Sequence, residues 1–216
     1  MNQALDQAIT PPGDRTTLLL DLWQSWATRI DTLDEDLWVA PTRLPGWNVA
    51  ALCAHVCPDP AQFDLLPTAV VDGAAAVGTA ADVLRCFNEP GGVAHTAAQQ
   101  VADTARDAAV SSTRLSIIER FTETAPAALR RLGDIDFGAA ITYPMLGTVA
   151  FGALRDVALV EATVHLLDLT AAIGGPRPAT AAVSTTSTIL IDVCGATAFL
   201  DAATGRTQHR LFPIMR

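Results

Sequence analysis

The stretch TVAFGALRDVALVEATVHLLDLTAAI, residues 148–173, decides the fold. It contains no proline and runs into Gly174-Gly175-Pro176, a strong stop for a helix. It therefore reads as one long helix. Around its centre, Val160, Val164, Leu166, Leu167 and Leu169 flank Glu161 and His165, so those two polar residues sit on a mostly apolar helix. A carboxylate in such surroundings is costly unless it is paired, protonated or bound to a cation.

Working outward, the flanking segments read the same way. Asp14 follows a break at Pro11-Pro12-Gly13 and is a plausible cap for a helix over 15–33. Leu19, Leu20, Trp23, Trp26 and Ile30 recur on it at helical spacing. Pro41 to Asn48 is a second break, and Asn48 can cap a helix over 48–57 that must end or kink at Pro58 and Pro60. Residues 59–79 read as helical turns and loops. Short helices are expected over 80–87 and 95–108. Ser111 or Ser112 is expected to cap a helix over 112–132 that ends at Gly133. Residues 134–147 read as a connection. Residues 179–203 read as one more helix, weakened by the Ser184–Thr188 run, and Leu211–Ile214 as a terminal strap.

No regular period-two runs alternate with these helices, so an α/β sheet is not expected. The expected class is all-α, a four-helix bundle built from 15–33, 48–57, 112–132 and 148–173, with an additional C-terminal helix. The composition agrees. Of 216 residues, 50% are hydrophobic and 17% charged, which excludes intrinsic disorder. Mean hydropathy is +0.30, yet charged residues interrupt every long apolar stretch, so no membrane span is expected. A net charge of −9 argues against nucleic acid and anionic membrane surfaces as partners. The opening residues Met1–Asp6 lack a basic segment followed by an apolar run, which predicts a cytoplasmic chain. Its four cysteines, Cys53, Cys57, Cys86 and Cys194, are then reduced. Without a second close pair they read as buried small hydrophobes rather than zinc ligands.

The histidines are His55, His95, His165 and His209. Glu161 and His165 lie four apart, so their side chains are offset by only about 40° on a helix and can converge on one ion. His55, on the second main helix, could supply a third ligand across the bundle. Two histidines and one carboxylate are a recurring zinc set that leaves a position open. By spacing alone, most such pairs are surface hydrogen bonds or satisfied core histidines. Asp168, three residues after His165, could accept from its imidazole or bond a loop. Arg43 could hold an anionic substrate or pair with a carboxylate, and Trp47 could wall a site or pack under its loop. His95 and His209 read as solvent-exposed.

The segment Pro41-Thr42-Arg43-Leu44-Pro45-Gly46-Trp47-Asn48-Val49-Ala50-Ala51-Leu52-Cys53-Ala54-His55 resembles the opening signature of the mycothiol-dependent maleylpyruvate isomerase N-terminal domain, in the DinB-like superfamily. Glu161-Ala162-Thr163-Val164-His165-Leu166-Leu167-Asp168-Leu169 resembles its second signature. The ending Ala202–Arg206 with Phe212–Arg216 is similar to the tail of actinobacterial members. The resemblance covers roughly residues 15–175. It implies a DinB-like metal-binding bundle over 1–175 and a C-terminal helix and tail over 176–216. It implies a divalent metal, most often zinc, on His55, Glu161 and His165, and mycothiol as co-substrate. A thiol at such a centre loses its proton readily and can act on an electrophile by S-transfer or by thiol-assisted isomerisation. Many relatives carry arginine three residues before the glutamate, where this chain has Ala158. The alternative is a metal-binding stress or interaction protein without turnover. Either is expected as a monomer or homodimer.

Overall fold

The computed structural model describes residues 14–207 together with 211, 213 and 214. The break at 11–13, His209, Phe212, Met215 and Arg216 lie outside the described residues. The protein is mostly helical, in agreement with the sequence, with one small sheet that the sequence reading did not anticipate. The order is α1 (Asp14–Asp31), α2 (Glu35–Trp38), α3 (Val49–Val56), α4 (Pro60–Ala69), β1 (Val70–Ala74), α5 (Ala80–Asn88), α6 (Val93–Thr96) and α7 (Ala98–Ser111). Then come α8 (Arg114–Glu119), a π-helical turn (Arg120–Thr124), α9 (Ala125–Arg131), β2 (Ala139–Tyr143), β3 (Gly147–Ala150), α10 (Phe151–Ile173), α11 (Thr180–Cys194) and α12 (Ala196–Ala203).

Helix α10 is the axis. One face, with Leu159, Ala162, Leu166 and Leu169, joins the main core with α1, α3 and α8. Another face, through Val160, packs with Leu84 of α5 and Ile189 of α11. Burial on two sides explains why this segment reads as apolar nearly all round. Trp26 of α1 is fully buried, lies flat against Phe121 at 6.0 Å, and donates its indole N–H to the Ala162 carbonyl at 3.0 Å. That bond fixes the height of α1 on α10, one residue from Glu161.

Several boundaries differ from those expected. Thr113, not Ser111 or Ser112, caps α8, accepting from the Ser116 amide. The 112–132 helix contains the π turn, because Pro126 has no N–H to offer Thr122 and the Ala125 amide bonds Arg120 instead. The expected 95–108 helix is split at Ala97 into α6 and α7. Residues 59–79 form α4, with Asp59 as its cap and Pro60 in its first turn, and then a strand. The long helix begins at Phe151 because residues 147–150 are claimed by a β-hairpin. Strands β1, β2 and β3 form an antiparallel sheet in that order, with Val70 opposite Ile141 and Ile141 opposite Val149. The strands are only four or five residues long and β1 is exposed throughout, so no period-two pattern announces them.

Residues 179–203 form two helices rather than one. They meet at Gly195, whose φ of +84° lets the chain turn by 100°. The Ser184–Thr188 run stays helical, with Thr188 bonding back to the Ser184 carbonyl. At the end of α10, Gly174 and Gly175 both have positive φ, and a Cβ on Gly175 would strike the Arg29 guanidinium. That guanidinium bonds the Gly174 carbonyl at 2.7 Å, tying the helix end to α1. Among the described residues, no single helix is long and apolar enough to cross a membrane.

Replacing Trp26 with alanine should cost about 3–5 kcal/mol of unfolding free energy, because it opens a core cavity between α1 and α10. Urea denaturation of the metal-free protein measures this. A loss below about 1 kcal/mol would show that the α1–α10 contact is not set by this side chain.

Candidate metal centre

Two short structures set the first half of the site. The loop Pro41–Asn48 closes on itself, with the Thr42 amide donating to the Trp47 carbonyl at 3.0 Å and the Thr42 hydroxyl accepting from the Leu44 amide. Asn48 then caps α3, its side chain accepting from the Ala51 amide at 2.9 Å, as expected. Helix α3 buries Val49, Leu52 and Cys53 and turns His55 toward α10. It ends at Val56, ahead of Pro58 and Pro60.

The second half comes from α10. His165 Nε2 lies 3.4 Å from Glu161 Oε2, and His55 Nε2 lies 3.7 Å from the same oxygen. The two imidazoles are 5.2 Å apart and nearly perpendicular. One donor atom from each residue falls within 4.8 Å of both others. These separations exceed a good N–H···O hydrogen bond of about 2.9 Å. They match two donors on one zinc ion, which at ligand distances of about 2.0–2.2 Å and tetrahedral angles stand about 3.4 Å apart. The donor set fits such an ion, and the three side chains remain 15–40% exposed, so the site is reachable from solvent.

Asp168 and Arg43 complete the arrangement. His165 Nδ1 lies 2.7 Å from Asp168 Oδ2, which keeps a proton on Nδ1 and leaves Nε2 as the nitrogen that faces Glu161 and would take an ion once its own proton is displaced. The other carboxylate oxygen of buried Asp168 accepts from Arg43 Nε at 2.5 Å. Arg43 is thus engaged with a carboxylate. Trp47 touches both imidazoles, edge-on to His55 at 5.0 Å and nearly parallel to His165 at 6.5 Å. It walls the cluster and also packs against the core. His95 is exposed and bonds the Asn88 carbonyl. Cys53 and Cys57 are buried and free, and burial raises both thiols, Cys57 to about 11, so neither supplies a thiolate.

Beside the cluster lies a cavity of about 450 Å³, lined by His55 and Glu161 at one end and by Trp23, Phe63, Tyr143 and Phe151 among others. Sequence reasoning missed Tyr143 and Phe63 as site residues. Tyr143 is the sole tyrosine of the chain. Only the sheet brings it here.

The profile of the mycothiol maleylpyruvate isomerase N-terminal domain family matches residues 19–170. The chain belongs to this family. Both expected signatures fall inside the matched range, and the family ties the chain to mycothiol-related chemistry. No curated protein and no solved structure matches it. For this member of the mycothiol maleylpyruvate isomerase N-terminal domain family, the His55–Glu161–His165 cluster is a potential metal-binding triad.

Without a metal, burial disfavours charge on His165, but Asp168 and Glu161 outweigh it and lift the imidazole from 6.5 to about 9. Burial likewise pushes Glu161 up, and the facing His165 and His55 outweigh it, holding the carboxyl at about 2. His165 therefore stabilises the metal-free fold fully below its unfolded value of 6.5, and that contribution fades as pH rises through about 9. The Glu161 contribution is present above 4.5 and is lost as pH falls through about 2. Melts in chelator should show the metal-free protein losing stability from pH 6.5 to 9. Over the same range zinc affinity should rise, because the ion displaces the His165 proton. Asp168→Asn should weaken zinc binding about 10–100-fold in a competition assay with a chelating dye.

Proposed function

We propose that this chain holds a divalent cation, zinc by its donor set, on His55, Glu161 and His165, and activates mycothiol for attack on an electrophile. The supporting observation is the convergence of three donor atoms at ion-sharing distances, with the outer nitrogen of His165 already held by Asp168. When bound, the cation would stabilise the thiolate form of a nearby thiol and so supply a nucleophile near neutral pH.

The chain's own residues do the rest. Asp168 keeps His165 in the binding tautomer, and Arg43 keeps Asp168 charged and in place. Trp47 shields one side of the two imidazoles. The cavity beside His55 and Glu161 offers the electrophile a place next to the cluster. In S-transfer, the thiol sulfur bonds the electrophilic carbon, the leaving group departs with the bonding pair, and the thiol proton passes to solvent. In isomerisation, sulfur adds to an alkene, the bond rotates, and expulsion returns the thiol. The cavity favours turnover over the metal-binding stress or interaction role. A cytoplasmic location, where mycothiol would serve as co-substrate, accords with this reading.

Elemental analysis should find about one divalent ion per chain, and the loaded protein should consume mycothiol with at least one electrophile. Glu161→Gln should lose both the metal and the activity, and its metal-free form should melt lower than the metal-free parent at pH 7, because the charge that pairs with His165 and His55 is gone. His165→Ala should lose metal and also stability. Full metal content and turnover in Glu161→Gln would place the active centre elsewhere.

A further inference from the structure

Trp47, which touches both imidazoles of the triad, also lines a second pocket, one to which His55, Glu161 and His165 contribute nothing. This pocket measures about 370 Å³ and lies where the loop 41–48 meets Arg106 of α7. Helices α3 and α7 pack closely. A Cβ placed on Gly46 would stand 3.8 Å from Arg106 Nη1, so Arg106 reaches back to the loop that carries Arg43.

The lining is rich in donors. Arg43 and Arg106 both contribute guanidinium groups, and no Asp or Glu stands among the described lining residues. In a chain of net charge −9, two cations on one pocket without an acid run against the composition. Neither cation is saturated. Arg43 gives only Nε to Asp168 and leaves both Nη groups without a partner among the described residues. Its side chain is 56% exposed, so solutes can reach those groups. Arg106 pairs through one Nη with Asp103, three residues earlier on α7, and exposed pairs of this kind contribute little. The Trp47 indole N–H and the Asn48 side-chain NH₂ add neutral donors that have no hydrogen-bond partner among the described residues. Such a lining selects a group that carries negative charge and only accepts hydrogen bonds. Guanidinium groups meet carboxylate and phosphate oxygens in matched pairs. The volume fits a small molecule, and the net charge of −9 repels a polyanion such as nucleic acid.

We infer that Arg43 and Arg106 form a binding site for a small oxyanion, a carboxylate or a phosphate group, separate from the cavity lined by His55 and Glu161. The site depends on neither a metal nor a thiol, so it stands or falls apart from the proposed thiol chemistry. Arg43 also supports Asp168, and through it the cluster. Arg106 has no such second task, which makes it the residue whose change isolates the pocket.

Binding alone tests this. The full chain is treated with chelator, so that no bound cation can hold the anion, and circular dichroism confirms that each sample is folded. It is dialysed to equilibrium, at constant ionic strength, against inorganic phosphate, against succinate and against succinamide, the uncharged analogue of succinate. At least one of the two anions should saturate at about one per chain, and succinamide should not bind. Tighter phosphate marks the natural ligand as phosphate-bearing, tighter succinate as carboxylate-bearing. Arg106→Gln should weaken the tighter anion about fivefold or more. Asp103→Asn, which releases the Nη that Asp103 holds, should tighten it about two- to threefold. Arg131→Gln removes the same charge from an exposed arginine outside the pocket and should change binding less than about twofold. Independently of any variant, the bound anion should protect Arg43 and Arg106, but not Arg131, from modification by phenylglyoxal, read by peptide mass spectrometry. Absence of saturable binding of either anion by the folded parent overturns the inference. So does equal weakening by Arg106→Gln and Arg131→Gln, which would reduce the effect to general charge attraction. A chain that binds the anion but consumes no mycothiol keeps this site and sinks the thiol chemistry, and turnover without anion binding does the reverse.

Discussion

A single line of charge runs through the site, from Arg43 to Asp168, to His165, to Glu161, and across to His55. Three of its members lie on α10, and the other two come from the loop and helix 41–56. Each link constrains the next. Asp168 is almost fully buried, which is tolerable because Arg43 and His165 both approach it. His165 in turn presents Nε2 rather than Nδ1 to the open side. Glu161 stands between two imidazoles at distances too long for hydrogen bonds, which leaves the interior of the cluster available to a cation.

The rest of the fold holds that line rigid. The Trp26 bond to the Ala162 carbonyl anchors α1 beside Glu161. The Arg29 bond to the Gly174 carbonyl anchors the far end of α10 to the same helix. Packing of α5 and α11 on the opposite face removes any freedom for α10 to roll. Sites held this way lose little on ligand binding, since the ordering cost was met during folding. The hairpin of β2 and β3 has a different task. It turns Tyr143 toward the space between α1, α4 and α10 and so closes a cavity that helices alone would leave open.

Local sequence carried much of this. The Asn48 cap, the Gly174-Gly175 stop and the apolar stripe of α1 depend on interactions within a few residues, and each was legible. So was the one-face placement of Glu161, His165 and Asp168, because helical periodicity alone sets it. The pairing of His55 with that face was implied by the family resemblance, while spacing alone favoured a surface hydrogen bond or a satisfied core histidine.

Tertiary structure decided what depends on distant partners. The strands are too short and too alanine-rich to show a period, and they exist because Val70, Ile141 and Val149 meet across the sheet. The π turn follows from Pro126, yet only packing of Phe121 on Trp26 shows which way the chain accommodates it. The roles of Arg43 and Ala158 are equally non-local: one is engaged by a carboxylate 125 residues away, the other faces a cavity walled by α1, α3, α4, α9, α10 and β2. Sequence determined the donor types and their spacing, because those are properties of single helices. Only the folded chain determined that three donors share one point beside an apolar cavity, because that convergence is a property of how α3, α10 and the sheet pack together.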